Sequence, residues 1–280
     1  MSSQVESLDE SLRQLIHMGA IEVPMLPEVA NKALLLAQNP DSDASEMASL
    51  IQSDQSLAGH VMRIANSVAY TPMSNLVSLQ QAIARLGMTV ISEIALTAAI
   101  GAKMFNTPSY EDYVAGIWRH ALATSLWSKE IARQGRSNVE VAFLAGLLHS
   151  IGRPAALQTI LDLSKQQNVS LDKGEILKLE NKYCQQVSQA VVHSWQMPSL
   201  VIEAVSAYTD HYSDLPVGEQ TAQITIGARF ATHMLKPESL DKEILLTLPA
   251  LAKLNLYQDE VEALLGQTEA VQARFEGLSS

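Results

Sequence analysis

AFLAGLLHSIGRPAAL, Ala142 to Leu157, is the stretch on which the fold of this chain turns. Ser137 and Glu140, just upstream, have the spacing of a capping box and predict a helix start. Val141, Leu144, Leu148 and Ile151 then recur at helical spacing on one face. Gly152 is expected to end this helix, with Pro154 beyond it. His149 falls near the helix end, where a ring nitrogen can bond a terminal carbonyl. Ser150 follows it, but neighbours on a helix point apart, so the two are no nucleophile–base pair.

The same periodicity runs outward in both directions. Asp43 with Glu46 is a second capping box, followed by Met47, Leu50 and Ile51. Ser53-Asp54 interrupts the pattern, with Asp54 placed to cap a helix carrying Leu57, Val61, Ile64 and Val68. Asn66 and Ser67 are suited to bond nearby backbone where that helix ends. Ser78 with Gln81 is a third box, and Gly87 is placed to stop its helix before Ile91, Ile94, Ala95 and Ala98 begin another. Phe105 to Ser109 breaks the pattern and predicts the joint between two helical halves. A long helix carries Trp118, Leu122, Ser125 and Leu126. Pro198 suits the first turn of a later helix. Leu245, Leu248, Leu251, Leu254, Val261, Leu264 and Leu265 predict helices packed on the second lobe. No long apolar/polar alternation and no fixed-period repeat occurs. The expected class is all-α with two helical lobes, residues 1–105 and 106–280, together one unit.

Composition narrows the function. The chain has 280 residues, 47% of them hydrophobic, enough for a substantial core. Its 19 basic and 30 acidic residues give a net charge of −11, which works against general nucleic-acid binding. The paired helices of Leu50 to Tyr70 imitate a helix-turn-helix, but Arg63 is the only Lys or Arg from Leu50 to Ala84. The single cysteine, Cys184, excludes an internal disulfide and fits a reducing compartment. The polar, acidic start is no signal peptide, and no apolar run reaches the roughly 18 residues that span a bilayer. A cytoplasmic protein without nucleic-acid or membrane partners is expected. No glycine-rich phosphate loop and no Cys-x-x-Cys pair is present. Trp118, Trp127 and Trp195 are dispersed and read as packing residues. Of the seven histidines, His120 and His149 stand out because each sits in a strong amphipathic helix beside small residues.

Read in order, LPEVANKALLLAQNPDSDASEMASLIQSDQSLAGHVMRIANSVAY, VSLQQAIARLGMTVISEIAL, WRHALATSLWSKEIAR and AFLAGLLHSIGRPAAL resemble the HDOD family, whose name denotes an HD-related output domain. The resemblance extends from about Leu26 to about Leu235. It implies an all-α fold, a bacterial origin, a role in signal transduction, and a C-terminal lobe similar to the helical bundle of HD-domain metal-dependent phosphohydrolases. The HD pattern carries over residue by residue. Its first histidine matches His120 and the histidine of its His-Asp doublet matches His149, but the aspartate is Ser150. With Trp195-Gln196-Met197-Pro198 as anchor, a further histidine falls near Cys184 and a histidine pair near Tyr208 and Thr209, with His211 a few residues on. The last aspartate belongs within Thr225 to Ala231, where no acidic residue occurs.

What the resemblance implies is therefore a degenerate phosphohydrolase site. His120 and His149, and more weakly His211, are vestigial metal-ligand candidates; no catalytic residue, no metal and no cofactor is expected. The expected function is a non-catalytic regulatory module that binds a protein partner in a signalling pathway or a small signalling ligand. Many family members are fused to other signalling domains; 280 residues leave no room for one, so action in trans or as a homo-oligomer is expected. The alternative is a metal-dependent phosphohydrolase acting on a nucleotide or phosphate ester through His120, His149 and His211, with a divalent ion.

Overall fold

The computed structural model describes residues 3–71, 76–101, 104–209 and 218–279. Its order is α1 (Ser3–His17), α2 (Glu28–Gln38), α3 (Ala44–Gln52), α4 (Gln55–Ala65), α5 (Leu79–Leu86) and α6 (Met88–Ile100). There follow α7 (Glu111–Gln134), α8 (Val139–Leu148), α9 (Gly152–Gln166), α10 (Lys173–Ser194), α11 (Ser199–Ala207) and α12 (Glu219–Leu235). A 3-10 turn (Pro237–Ser239) leads to α13 (Lys242–Leu245), α14 (Ala250–Lys253), α15 (Gln258–Leu265) and α16 (Thr268–Ser279). No strand occurs among the described residues, so the all-α class expected from periodicity is what the chain adopts. Among the described residues no single helix is long and apolar enough to cross a membrane.

Contacts divide the chain into two units. The larger comprises Met1–Pro24 and Phe105–Gly266, the smaller Met25–Met104 and Gln267–Ser280. One boundary between the units falls between Met104 and Phe105; α1 belongs to the larger unit and α16 to the smaller. α1 packs on α9 and α10 of the larger unit, burying Val5, Leu8 and Leu12. Asp9 accepts from Lys182 Nζ at 2.7 Å and Tyr183 OH at 2.9 Å, and Trp195 Nε1 donates to Pro24 O at 2.9 Å. α16 packs on α6 of the smaller unit, burying Val271, Phe275 and Leu278. An amphipathic stripe dictates that a helix buries one face but not which partner covers it.

In the smaller unit the caps follow the sequence. Asp43 accepts from Ser45 N and Glu46 N, and Asp54 from Leu57 N. Ser78 accepts from Gln81 N, but the Gln81 side chain accepts from Val77 N, one residue ahead of the cap. Gly87 takes φ +85, a value open to glycine, and joins α5 to α6. The α4 stripe stops earlier than expected: the helix ends at Ala65, and Val68 is 80% exposed. Beyond it Asn66 clamps the backbone ten residues on, donating to Leu76 O at 2.9 Å and accepting from Leu76 N at 2.7 Å.

The larger unit is built around α7, which is buried without interruption from Ala121 to Ala132. Its neighbours α8 and α12 approach closely because they present glycines. A Cβ on Gly146 would lie 2.7 Å from Ser125 Cα, and one on Gly227 2.5 Å from Ser128 Oγ. Two expectations for the Ala142–Leu157 stretch are corrected. The cap of α8 is Asn138, which accepts from Glu140 N and Val141 N, while Ser137 Oγ accepts from Gln223 Nε2 at 2.6 Å. The helix also ends at Leu148, before Gly152, which instead starts α9. Pro154 then occupies the first turn of α9, where its missing N–H costs nothing.

Candidate functional site

The end of α8 places His149. As the residue following the last full turn, it meets unpaired carbonyls, and its Nδ1–H donates to Gly146 O at 2.7 Å. That bond fixes the tautomer and turns the ring inward, where it is 5% exposed. The backbone on either side of Ser150 is held by Ser188 of α10, whose Oγ donates to His149 O at 3.4 Å and accepts from Gly152 N at 2.9 Å. Gly152 is required here: a Cβ would lie 2.0 Å from Cys184 O and 2.2 Å from Ser188 N. The start of α9 thus lies directly against the backbone of α10.

The glycine-mediated contact of α7 with α12 places His120. Thr232 Oγ1 donates to Ala228 O at 2.9 Å, so its oxygen accepts from His120 Nε2, 3.0 Å away; Ala228 O lies 3.2 Å from the same nitrogen. His120 and His149 have ring centroids 6.0 Å apart, and Tyr208 meets His149 edge to face at 4.8 Å.

Two cavities meet at His149, Ser150 and Arg153. One, of about 230 Å³, is also lined by Cys184, Ser188, Tyr208 and Thr209. The other, of about 740 Å³, adds His120, Tyr113, Arg119, Lys236 and Thr232. The structure therefore brings together His120, His149 and Ser150, and sets Cys184, Tyr208 and Thr209 beside the last two. His211 lies outside the described residues.

Among the described residues the donor chemistry does not fit a hydrolytic metal centre. Mg²⁺ and Mn²⁺ select carboxylate oxygens, and a two-metal site needs bridging ones. Here the position beside His149 is a serine whose Oγ is buried and, among the described residues, without a hydrogen-bond partner. α12 meets His120 with a carbonyl and a hydroxyl. Among the described residues no group of three His, Cys, Asp or Glu is placed to hold one ion.

The sequence profile of the HDOD domain matches residues 23–211, about two thirds of the chain. The chain belongs to the HDOD family. Of solved structures, an HDOD domain protein of unknown function from Geobacter sulfurreducens is 20% identical with TM-score 0.70, covering 98% of this chain and 99% of that one. A provisionally named metal-dependent phosphohydrolase from Shewanella amazonensis SB2B is 21% identical with TM-score 0.71, covering 98% and 99%. A provisionally named signal transduction protein from Marinobacter aquaeolei VT8 is 20% identical with TM-score 0.66, covering 97% and 66%. At these identities the likeness shows the HDOD fold. A curated relative, an uncharacterized protein of Treponema pallidum (strain Nichols), is 19% identical over 193 residues; the match covers 66% of this chain and spans 37% of that protein's length.

Sequence reasoning missed the charged part of this cavity wall. Arg153, at the second position of α9, donates through Nη1 to both oxygens of Glu180 at 2.9 and 3.1 Å, and through Nη2 to Asn181 Oδ1 at 3.2 Å. Glu180 is 1% exposed and also accepts from Tyr113 OH at 3.2 Å. Burial first, then the Glu180 carboxylate, push the Tyr113 phenol up to about 12. The one signal in the sequence was an acidic residue, Glu180, at a helical position between the apolar Leu179 and Tyr183.

Proposed function

We propose that this HDOD protein is a non-catalytic bacterial signal-transduction module that works by binding a protein partner or a small ligand in the cytoplasm. The observation that carries this reading is Ser150: a neutral, buried hydroxyl beside His149, without a hydrogen-bond partner among the described residues, where the HD pattern requires a carboxylate. The HDOD profile match and the signal-transduction naming of the Marinobacter protein of like fold support it. On this reading His120 and His149 serve packing and hydrogen bonding, and the module works without a metal or cofactor. A homo-oligomer or a pathway protein is the partner, and nucleic acid and membrane are not.

The second reading, a metal-dependent phosphohydrolase, is favoured by one observation. The His149 ring is oriented by a backbone carbonyl through one nitrogen, as metal-bound histidines commonly are, with His120 6.0 Å away. Elemental analysis of purified protein, before and after a chelator wash and beside a His120→Ala/His149→Ala variant, separates the two. The regulatory reading expects no stoichiometric metal in either protein. Near-stoichiometric metal that disappears in the variant, together with phosphate-ester hydrolysis, would replace it with the second.

A further inference from the structure

The larger cavity has a charge pattern opposite to that of the chain. Acidic residues outnumber basic ones 30 to 19 overall. Among the described residues, the charged side chains lining this cavity are nonetheless Arg119, Arg153 and Lys236, against Asp112. Glu180, the partner of Arg153, is buried and does not line it. Ser150, where the HD pattern has an aspartate, adds no negative charge to the same wall.

We propose that this cavity binds a phosphate-bearing small molecule of nucleotide size directly, with no metal between the phosphate and the protein. The inference rests on the non-catalytic reading given above. Guanidinium groups present paired N–H donors that match phosphate oxygens. Arg153 is fixed in this wall by its two bonds to Glu180 and one to Asn181, which also meet its charge, so it contributes a positioned guanidinium edge rather than net charge. Arg119 and Lys236, both exposed, add charge at the rim, and the Ser150 hydroxyl offers a neutral donor in the shared wall. A volume of about 740 Å³ is that of a small-molecule site, far larger than a single phosphate needs. Tyr113, Ile117 and Leu235 in the same lining supply an aromatic and apolar surface for the rest of the ligand.

The test is isothermal titration of the full chain in EDTA with pyrophosphate, adenosine 5′-monophosphate and guanosine 5′-monophosphate, at low and physiological salt. The comparison protein is Arg119→Met/Lys236→Met, which leaves the Arg153–Glu180 pair in place; circular dichroism checks its folding. At least one probe is expected to bind in EDTA, to weaken tenfold or more in the variant, and to weaken as salt rises. Absence of binding by all three probes, or equal affinity in both proteins, overturns the proposal. If hydrolysis is also absent with Mn²⁺, only this proposal falls. Binding confined to Mn²⁺, accompanied by hydrolysis of the probe, overturns the non-catalytic reading as well.

Discussion

Gly152 shows how one residue fixes the geometry of the site. With Cys184 O 2.0 Å and Ser188 N 2.2 Å from a hypothetical Cβ, neither neighbour is a flexible side chain that can swing away. Gly152→Ala must push α9 off α10, and is expected to lose about 3 kcal/mol in urea denaturation. Gly59, on the exposed face of α4 with nothing within 4 Å of its Cβ position, is the matched control. Gly59→Ala is expected to gain about 0.5–1 kcal/mol from helix propensity. Equal effects at the two sites would contradict the packing described. Tyr113 makes a pH prediction. Its phenol is raised to about 12 in the fold against about 10 unfolded, so the fold favours the protonated form. That contribution is complete below pH 10 and is lost as pH climbs through 12. Denaturation at pH 8, 10 and 11.5 is expected to show a shallower alkaline loss for Tyr113→Phe than for wild type; parallel curves would remove Tyr113 as a cause.

Among elements, helix ends carried the most readable information. A side-chain cap is a contact over two or three residues, so Asp43, Asp54 and Ser78 were placed correctly without tertiary knowledge. Asn138 was passed over for Ser137 because both residues have capping chemistry, and the choice was made by Gln223, which engages the Ser137 hydroxyl from α12. Asn66 extends local capping into a tertiary clamp, satisfying both backbone groups of Leu76. Asn66→Ala is expected to cost about 2 kcal/mol, leaving a donor and an acceptor unmade. Asn66→Asp, which keeps the acceptor for Leu76 N but sets a second carboxylate oxygen against Leu76 O and Met62 O, is expected to cost at least as much. Hydrogen exchange at the Leu76 amide checks both: unchanged protection in Asn66→Ala would exclude the clamp.

For the whole molecule, the crossing of the termini is the largest feature. α16 returns to the smaller unit from the far end of the sequence and buries Val271, Phe275 and Leu278 against it. Truncation after Gly266 removes that cover, a loss on the order of 5 kcal/mol from apolar burial. The expected result is faster hydrogen exchange along α6, with α7 unchanged. Uniform acceleration in both, or in neither, would contradict the assignment of α16 to the smaller unit.

The all-α class, most helix starts and the family itself were legible in the sequence, because helical periodicity, caps and ordered motifs are local signals. Ser150 was legible too, since a missing carboxylate is a property of one letter. Tertiary structure decided what depends on residues far apart in the chain. Glycines at 146, 152 and 227 let backbones touch, bringing His120, Ser150, Arg153 and Cys184 around adjoining cavities. The Arg153–Glu180–Tyr113 network joins residues 27 and 67 positions apart, and no periodicity records such a meeting. Periodicity tells a helix which face to bury; only packing chooses what that face is buried against.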